Sequence, residues 1–458
     1  MFKWGLTYNF FVFLHIYKII SMSNIVAIVG RPNVGKSTLF NRLTESKSAI
    51  TDPTAGVTRD RHYGKSNWNG KEFSVIDTGG YIFGSEDVFE QEIRQQVTLA
   101  VEQADVILFL VDAKEGLTPM DEDVANMLRK SKKKVFLVAN KVDTFQKSLN
   151  ISEFYSLGLG EIYSISSANG SGTGELLDEL VKDFTDIETF EDEESSIPHI
   201  SVVGRPNVGK SSFINMITGQ DRNIVKDVAG TTRDSVNTRY KLFGFDFVIV
   251  DTAGLRKKKA EKDNIEFYST MRAIRSIETS DVCILLIDAV EGFSAQDLNI
   301  FSLCQRNHKG VVVVVNKWDL IEKDSKTTKE VETMIREKTA PFSDIPIIFT
   351  SVINKQRIFK VLETAKEVYE NRARKIPTSR LNEDLLPLVK EQNPPPEYKG
   401  KRVKIKYITQ LKTEYPQFVF YCNLPQYVKQ DYIRYVENQI RQRYNFTGVP
   451  IVVYFREK

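Results

Sequence analysis

Short apolar runs recur along the chain, separated by longer stretches of mixed polarity. In the first third they are Ile25-Val26-Ala27-Ile28-Val29, Val106-Ile107-Leu108-Phe109-Leu110-Val111 and Val135-Phe136-Leu137-Val138-Ala139. Further on they are Ile200-Ser201-Val202-Val203, Val282 to Ile287 and Val311 to Val315. Runs of this length without polar alternation predict strands buried on both faces, as in parallel sheets covered by helices. Their alternation with helical patterns predicts two α/β units with doubly wound, mostly parallel sheets and ligand at the carboxyl ends of the strands. After Tyr369 the pattern changes. Prolines and glycine punctuate Asn371 to Pro377 and Pro394 to Arg402, and Val403-Lys404-Ile405-Lys406-Tyr407-Ile408 alternates as a half-buried strand. Gln417 to Cys422 and Ile451 to Phe455 read as further strands, and Lys429 to Arg441 has helical spacing, which predicts a small α+β domain.

The two α/β stretches are copies of each other. Gly30-Arg31-Pro32-Asn33-Val34-Gly35-Lys36-Ser37 and Gly204-Arg205-Pro206-Asn207-Val208-Gly209-Lys210-Ser211 both satisfy G-x-x-x-x-G-K-[ST]. A shift of 174 positions carries Gly30 onto Gly204, Thr58 onto Thr232 and Asp77 onto Asp251. Asn140 meets Asn316 after 176, so two residues have entered the second copy between those markers. The loop spacing suits an anionic phosphate: glycines let backbone N–H groups curl around it, Lys36 and Lys210 reach its β/γ oxygens, and the hydroxyls of Ser37 and Ser211 hold Mg²⁺.

A phosphate loop alone is shared by many nucleotide enzymes, so the base-reading element decides. Asn140-Lys141-Val142-Asp143 and Asn316-Lys317-Trp318-Asp319 each follow a buried run and fit N-K-x-D. The terminal Asp can accept from guanine N1–H and the 2-amino group, whereas adenine would leave a carboxylate unpaired. Asp77-Thr78-Gly79-Gly80 and Asp251-Thr252-Ala253-Gly254 end further strands. There the Asp is expected to hold Mg²⁺ through its water shell, and the last Gly N–H to meet the γ-phosphate. Thr58 and Thr232 are expected to cap Mg²⁺ in the triphosphate state and release it after hydrolysis. The catalytic set is then Lys36, Thr58 and Gly80 in one copy and Lys210, Thr232 and Gly254 in the other. Ser166-Ser167-Ala168 and Ser351-Val352 are placed to floor the guanine. Tyr81 and Leu255 stand where many such enzymes carry a water-orienting Gln, so another arrangement must position water and neutralise charge here.

Composition adds limits. An apolar share of 41% with 27% charged residues suits a soluble globular protein, and a net charge of +3 decides nothing by itself. Its distribution is more informative: Arg380 to Lys458 holds 14 Lys/Arg against 8 Asp/Glu, a local +6, and basic strands with nearby Tyr and Phe suit RNA, with an ordinary solvated face an equal alternative from charge alone. Arg256-Lys257-Lys258-Lys259, directly after the second D-x-x-G, is expected to present or hide charge with nucleotide state. Cys283, Cys304 and Cys422 have neither metal nor disulfide spacing, Cys283 reads as a buried strand residue, and a reducing, cytosolic setting is expected. Trp4 to Ile20 is apolar but broken by Thr7, Asn9, His15 and Lys18. Residues 1–22 are therefore expected to be a non-native or dispensable extension ahead of Met22, with a membrane-surface anchor as the alternative. The expected division continues with a first unit over 23–183, an acidic solvated linker over 184–197, a second unit over 198–372 and the α+β domain over 373–458.

From Ser23 onward these motifs resemble the Der (EngA) family of bacterial tandem-domain GTPases, within the larger group related to the tRNA-modification GTPase MnmE. The resemblance implies hydrolysis of GTP to GDP and phosphate, a switch role in assembly of the large (50S) ribosomal subunit, and contacts with that subunit and its rRNA. It implies a KH-like C-terminal domain, a cytoplasmic location and no stable membrane partner. It also implies a K⁺ ion, bound with help from Asn33 and Asn207, where an arginine finger would otherwise act. Two departures stand out: Val352 occupies a guanine-loop position that is usually a small Ala, and the C-terminal domain has no G-x-x-G loop. The second makes packing against a GTPase unit or a structured RNA surface the expected use of that domain. Modification of tRNA is disfavoured by the cysteine count and the lack of a cofactor domain. A nucleotide-gated scaffold in which one copy binds without turnover stays open, because both copies keep every binding element.

Overall fold

The structure is a computed structural model and describes residues 24–44, 63–80, 93–94, 97–98, 100–102, 104–143, 149–182, 184, 197–218, 237–250, 273–322, 324, 326–392, 394–395, 397 and 400–457. The first unit runs β1 (Asn24–Val29), α1 (Lys36–Thr44), β2 (Tyr63–Trp68), β3 (Lys71–Asp77), β4 (Val106–Asp112), α2 (Pro119–Lys130), β5 (Lys134–Asn140), β6 (Ile162–Ser164) and α3 (Thr173–Leu180). The second repeats it with β7 (His199–Val203), α4 (Lys210–Thr218), β8 (Thr238–Leu242), β9 (Phe245–Ile249), β10 (Val282–Asp288), α5 (Ala295–Arg306), β11 (Gly310–Asn316), α6 (Thr327–Thr339), β12 (Ile347–Phe349) and α7 (Ile358–Ala373).

Among the described residues the first sheet has the order β2-β3-β1-β4-β5-β6 and the second β8-β9-β7-β10-β11-β12, the same order in both copies. Only β2 and β8 run antiparallel to their neighbours. The apolar runs behave as their composition requires: every residue of β4, β10 and β11 is buried. Strand order reverses at β1 and β7, and the crevice outside their carboxyl ends is where such sheets bind ligand. Both phosphate loops leave the sheet there, at β1 and β7, and lead into α1 and α4.

The C-terminal unit comprises α8 (Thr378–Pro387), β13 (Ile405–Gln410), β14 (Gln417–Cys422), α9 (Gln430–Arg443) and β15 (Val452–Arg456). Its sheet has the order β13-β14-β15, antiparallel and then parallel. The strand expected over 403–408 starts instead at Ile405, and its register shifts between Ile405 and Tyr407. A bulge explains why Ile405 and Ile408, three apart, both reach the core. The helix expected over 429–441 is α9, with Lys429 as its N-cap, while α8 carried no expectation. The C-terminal unit docks on the second: Val311 N donates to Gly448 O at 2.7 Å, and Arg441 meets Asp344 at 3.2 Å. Among the described residues no helix is long and apolar enough to cross a membrane.

Candidate nucleotide site

The loop Gly30 to Ser37 takes its shape from a few backbone conformations. Asn33 and Asn207 adopt φ of 61° and 65°, a region that asparagine tolerates better than most side chains. Gly35 and Gly209, at φ of 101° and 103°, lie so close to Asn140 and Asn316 that a Cβ would run into the amide nitrogen. Those amides bind the loop directly: Asn140 Nδ2 donates to Val34 O at 2.7 Å, and Asn316 Nδ2 to Val208 O at 2.8 Å. The base-reading motif and the phosphate loop are thus one hydrogen-bonded object in each copy.

Lys36 Nζ donates to Gly30 O and Arg31 O, both at 2.8 Å, and Lys210 makes the matching pair with Gly204 O and Arg205 O. Burial lowers both ammonium groups to about 8. A phosphate at the loop would supply the missing counter-charge. Ser37 Oγ donates to Asp77 Oδ2 at 2.6 Å, bringing a hydroxyl from α1 and a carboxylate from β3 together. This oxygen pair suits a hard cation such as Mg²⁺, whose remaining ligands would come from phosphate and water. Asp77 Oδ1 accepts from Gly79 N at 2.9 Å in the turn Thr78–Gly80, while Thr78 Oγ1 anchors that turn on Ile28 O at 2.8 Å. Thr58, Thr232, Asp251, Thr252, Ala253, Gly254, Tyr81, Leu255 and the cluster 256–259 lie outside the described residues, as do 1–22 and most of the linker.

At the base end, Asn140 Oδ1 accepts from Ser167 N at 2.9 Å and Asn316 Oδ1 from Val352 N at 3.1 Å. The register therefore equates Val352 with Ser167, and Ser351 with Ser166. The backbone N–H at the Val352 position makes this contact, so Val serves there as Ser167 does in the first copy, while its side chain packs into the core of the second unit. Ser166 Oγ donates to Asp143 Oδ1 at 2.8 Å, holding one oxygen of the N-K-x-D carboxylate. Lys141 and Lys317, at φ of 69° and 60°, turn back to Asp112 and Asp288 at the ends of β4 and β10. Ala168 O and Ser167 O accept from Arg42 of α1.

The motif marks Arg31 and Arg205 only as phosphate-loop residues, yet their side chains tie each loop to the helix after β4 or β10. Arg31 Nε lies 3.3 Å from Asp121 Oδ2, and its Nη1 meets Glu115. Arg205 does the same with Asp297, at 2.9 Å, and Glu291, at 2.7 Å. The recurrence of Asp at matching helix positions in both copies was the available signal.

A family described as "50S ribosome-binding GTPase" matches residues 25–141 and 199–317. A second, "KH-domain-like of EngA bacterial GTPase enzymes, C-terminal", matches 375–456. The GTPase Der of Christiangramia forsetii is 59% identical over 437 residues, covering 95% of this chain and 100% of that protein. The GTPase Der of Phocaeicola vulgatus is 60% identical over 440 residues, with the same coverage. Among solved structures, Aquifex aeolicus Era bound to GDP·AlF4⁻ is 24% identical, the match covering 57% of this chain and 93% of that one at a TM-score of 0.29. Two copies of one α/β frame that both match a GTPase family, a matching C-terminal domain and relatives aligned over their whole length lead to one conclusion: the chain is a GTP hydrolase and belongs to the GTPase Der family.

Proposed function

We propose that this GTPase acts as a nucleotide switch in assembly of the 50S ribosomal subunit, in the cytoplasm, with GTP and GDP as its nucleotides and rRNA among its contacts. The observation that carries the reading is the pairing of two copies of the phosphate-loop and N-K-x-D motifs with a basic C-terminal domain, in a chain whose GTPase units match a family described as "50S ribosome-binding GTPase". The working division is 23–183, 184–197, 198–372 and 373–458, with 1–22 outside the functional units. In this reading Asp143 and Asp319 select guanine, Asn140 and Asn316 hold base loop and phosphate loop together, and Lys36 and Lys210 neutralise the β/γ oxygens. Ser167, Ala168, Ser351 and Val352 close the base side. Ser37, Asp77 and Thr58, and Ser211, Asp251 and Thr232, are the Mg²⁺ positions; the ion, when bound, stabilises charge on the transferring phosphoryl. Asn33 and Asn207 are assigned to K⁺, which would add positive charge near the same oxygens. Gly80 and Gly254 offer backbone N–H groups to the γ-phosphate.

GTP turnover in KCl against NaCl at matched ionic strength tests the K⁺ assignment. Faster turnover in KCl, lost when Asn33 and Asn207 are both changed to Ala, is expected; equal rates in the two salts would remove K⁺ from the mechanism.

A further inference from the structure

The sheet of the C-terminal unit has two unlike faces. One, carrying Ile405, Ile408, Phe418, Phe420, Cys422 and Val453, forms the core under the helices. The other presents a cross-strand row, because Tyr407 pairs with Tyr421 and Tyr421 with Arg456. The rings of Tyr407 and Tyr421 stack at 4.4 Å with 17° between their planes, and the Arg456 guanidinium lies 5.2 Å from the ring of Tyr454. Lys404 sits between the core residues Val403 and Ile405 and so belongs to this same face by alternation. The bulge leaves Lys406 beside Tyr407 there as well, and Lys404, Lys406 and Arg456 are all exposed. Val419, further along the face, is fully buried, so the open part is the end bearing the tyrosine row.

We infer that this open face is a stacking platform for single-stranded RNA. Tyr407 and Tyr421 cover each other's inner faces, so an unpaired base stacks on an outer face of the pair, and three exposed cations beside them match the phosphates. A duplex hides its base faces and would gain only the electrostatic part. The local excess of 14 basic over 8 acidic residues between Arg380 and Lys458 gives the polyanion the advantage over an acidic or neutral protein surface. The residues 373–458 contain only two glycines, Gly400 and Gly448, so a G-x-x-G backbone clamp cannot be the binding element and the sheet face takes its place.

The inference rests on the reading that this chain meets rRNA, and a naked oligonucleotide separates the two. Fluorescence anisotropy of the full chain with a labelled single strand of about twelve nucleotides, and with the same sequence as duplex, is measured across a KCl series. Tyr421→Ala and Tyr407→Ala are each expected to weaken single-strand binding about 10- to 100-fold, with Tyr421→Phe near wild type because it keeps the ring. Lys404→Ala with Lys406→Ala should flatten the log–log salt slope by about one. GTP turnover of every variant should match wild type, which certifies that the chain is folded. Alanine variants that bind like wild type, or a duplex bound as tightly as the single strand, would overturn the platform. If they bind like wild type while 50S association persists, the ribosomal reading survives without it.

Discussion

At the residue scale, what the motifs encoded locally was legible and what depends on distant partners was not. Gly35, Asn33 and Lys36 could be placed because the loop's shape is set within eight residues. Arg31 could not, because its acids lie 84 and 90 positions away and nothing in the spacing selects them. The lysines carry a sharp consequence. Burial holds Lys36 and Lys210 at about 8 in the free protein, well under the ordinary 10.5. Bound phosphate favours the charged form and raises that value, so nucleotide binding near pH 8 takes up protons, and affinity falls as pH rises through 8. Calorimetry of GDP binding at pH 8, in buffers of different ionisation enthalpy, should report uptake of about half a proton per site. Binding with no proton uptake would mean that these ammonium groups do not meet the phosphate.

Among the elements, the buried strands were readable because a run of Val, Ile and Leu has few other uses, whereas the bulge in β13 was not, since Lys404 and Lys406 preserve an apparent alternation. The most informative elements are α2 and α5. Each begins with a capping box, Thr118 with Asp121 and Ser294 with Asp297, and each box acid also receives the arginine of the phosphate loop. The helix start and the nucleotide loop are therefore coupled through one carboxylate. Thr118→Ala removes one cap and should cost about 1 kcal/mol in local stability. Arg31→Ala leaves Asp121, 0% exposed, without its cation and should cost about 3–5 kcal/mol. Hydrogen exchange reads this by element: protection should fall in α2 and α1 while α5 and α4 stay unchanged. Equal protection in wild type and Arg31→Ala would show that the ion pair holds nothing in place.

Across the whole molecule, the contacts between units were the least legible part, because they join side chains with no shared pattern. Tyr63 of the first unit donates to Glu278 Oε1 of the second at 2.7 Å, Arg372 bridges Asp281 at 3.0 Å and Glu414 at 3.6 Å, and His308 stacks on Tyr415 at 4.1 Å. Burial lowers His308 to about 4, with Glu72 opposing and Lys65, Lys309 and Arg372 reinforcing the shift. Burial alone would raise the Asp281 carboxyl, but His199 and Arg372 hold it at about 2. Between pH 6.5 and 4, then, an undocked or unfolded His308 takes a proton that the docked one refuses, so the junction weakens as pH falls through that window. The thermal midpoint should drop from pH 6.5 to 4, and drop less in His308→Asn, which tolerates the φ of 50° at that position. An identical pH profile in the variant would remove His308 from the junction's energetics. The proposed function has the two nucleotide sites control attachment to the large ribosomal subunit. It is tested most directly by co-sedimentation of the chain with purified 50S subunits in a non-hydrolysable GTP analogue, in GDP and without nucleotide, for wild type, Lys36→Ala and Lys210→Ala. Association strongest with the GTP analogue and lost in at least one lysine variant is expected; association indifferent to nucleotide, or none in any state, would rule out a nucleotide-controlled ribosomal role.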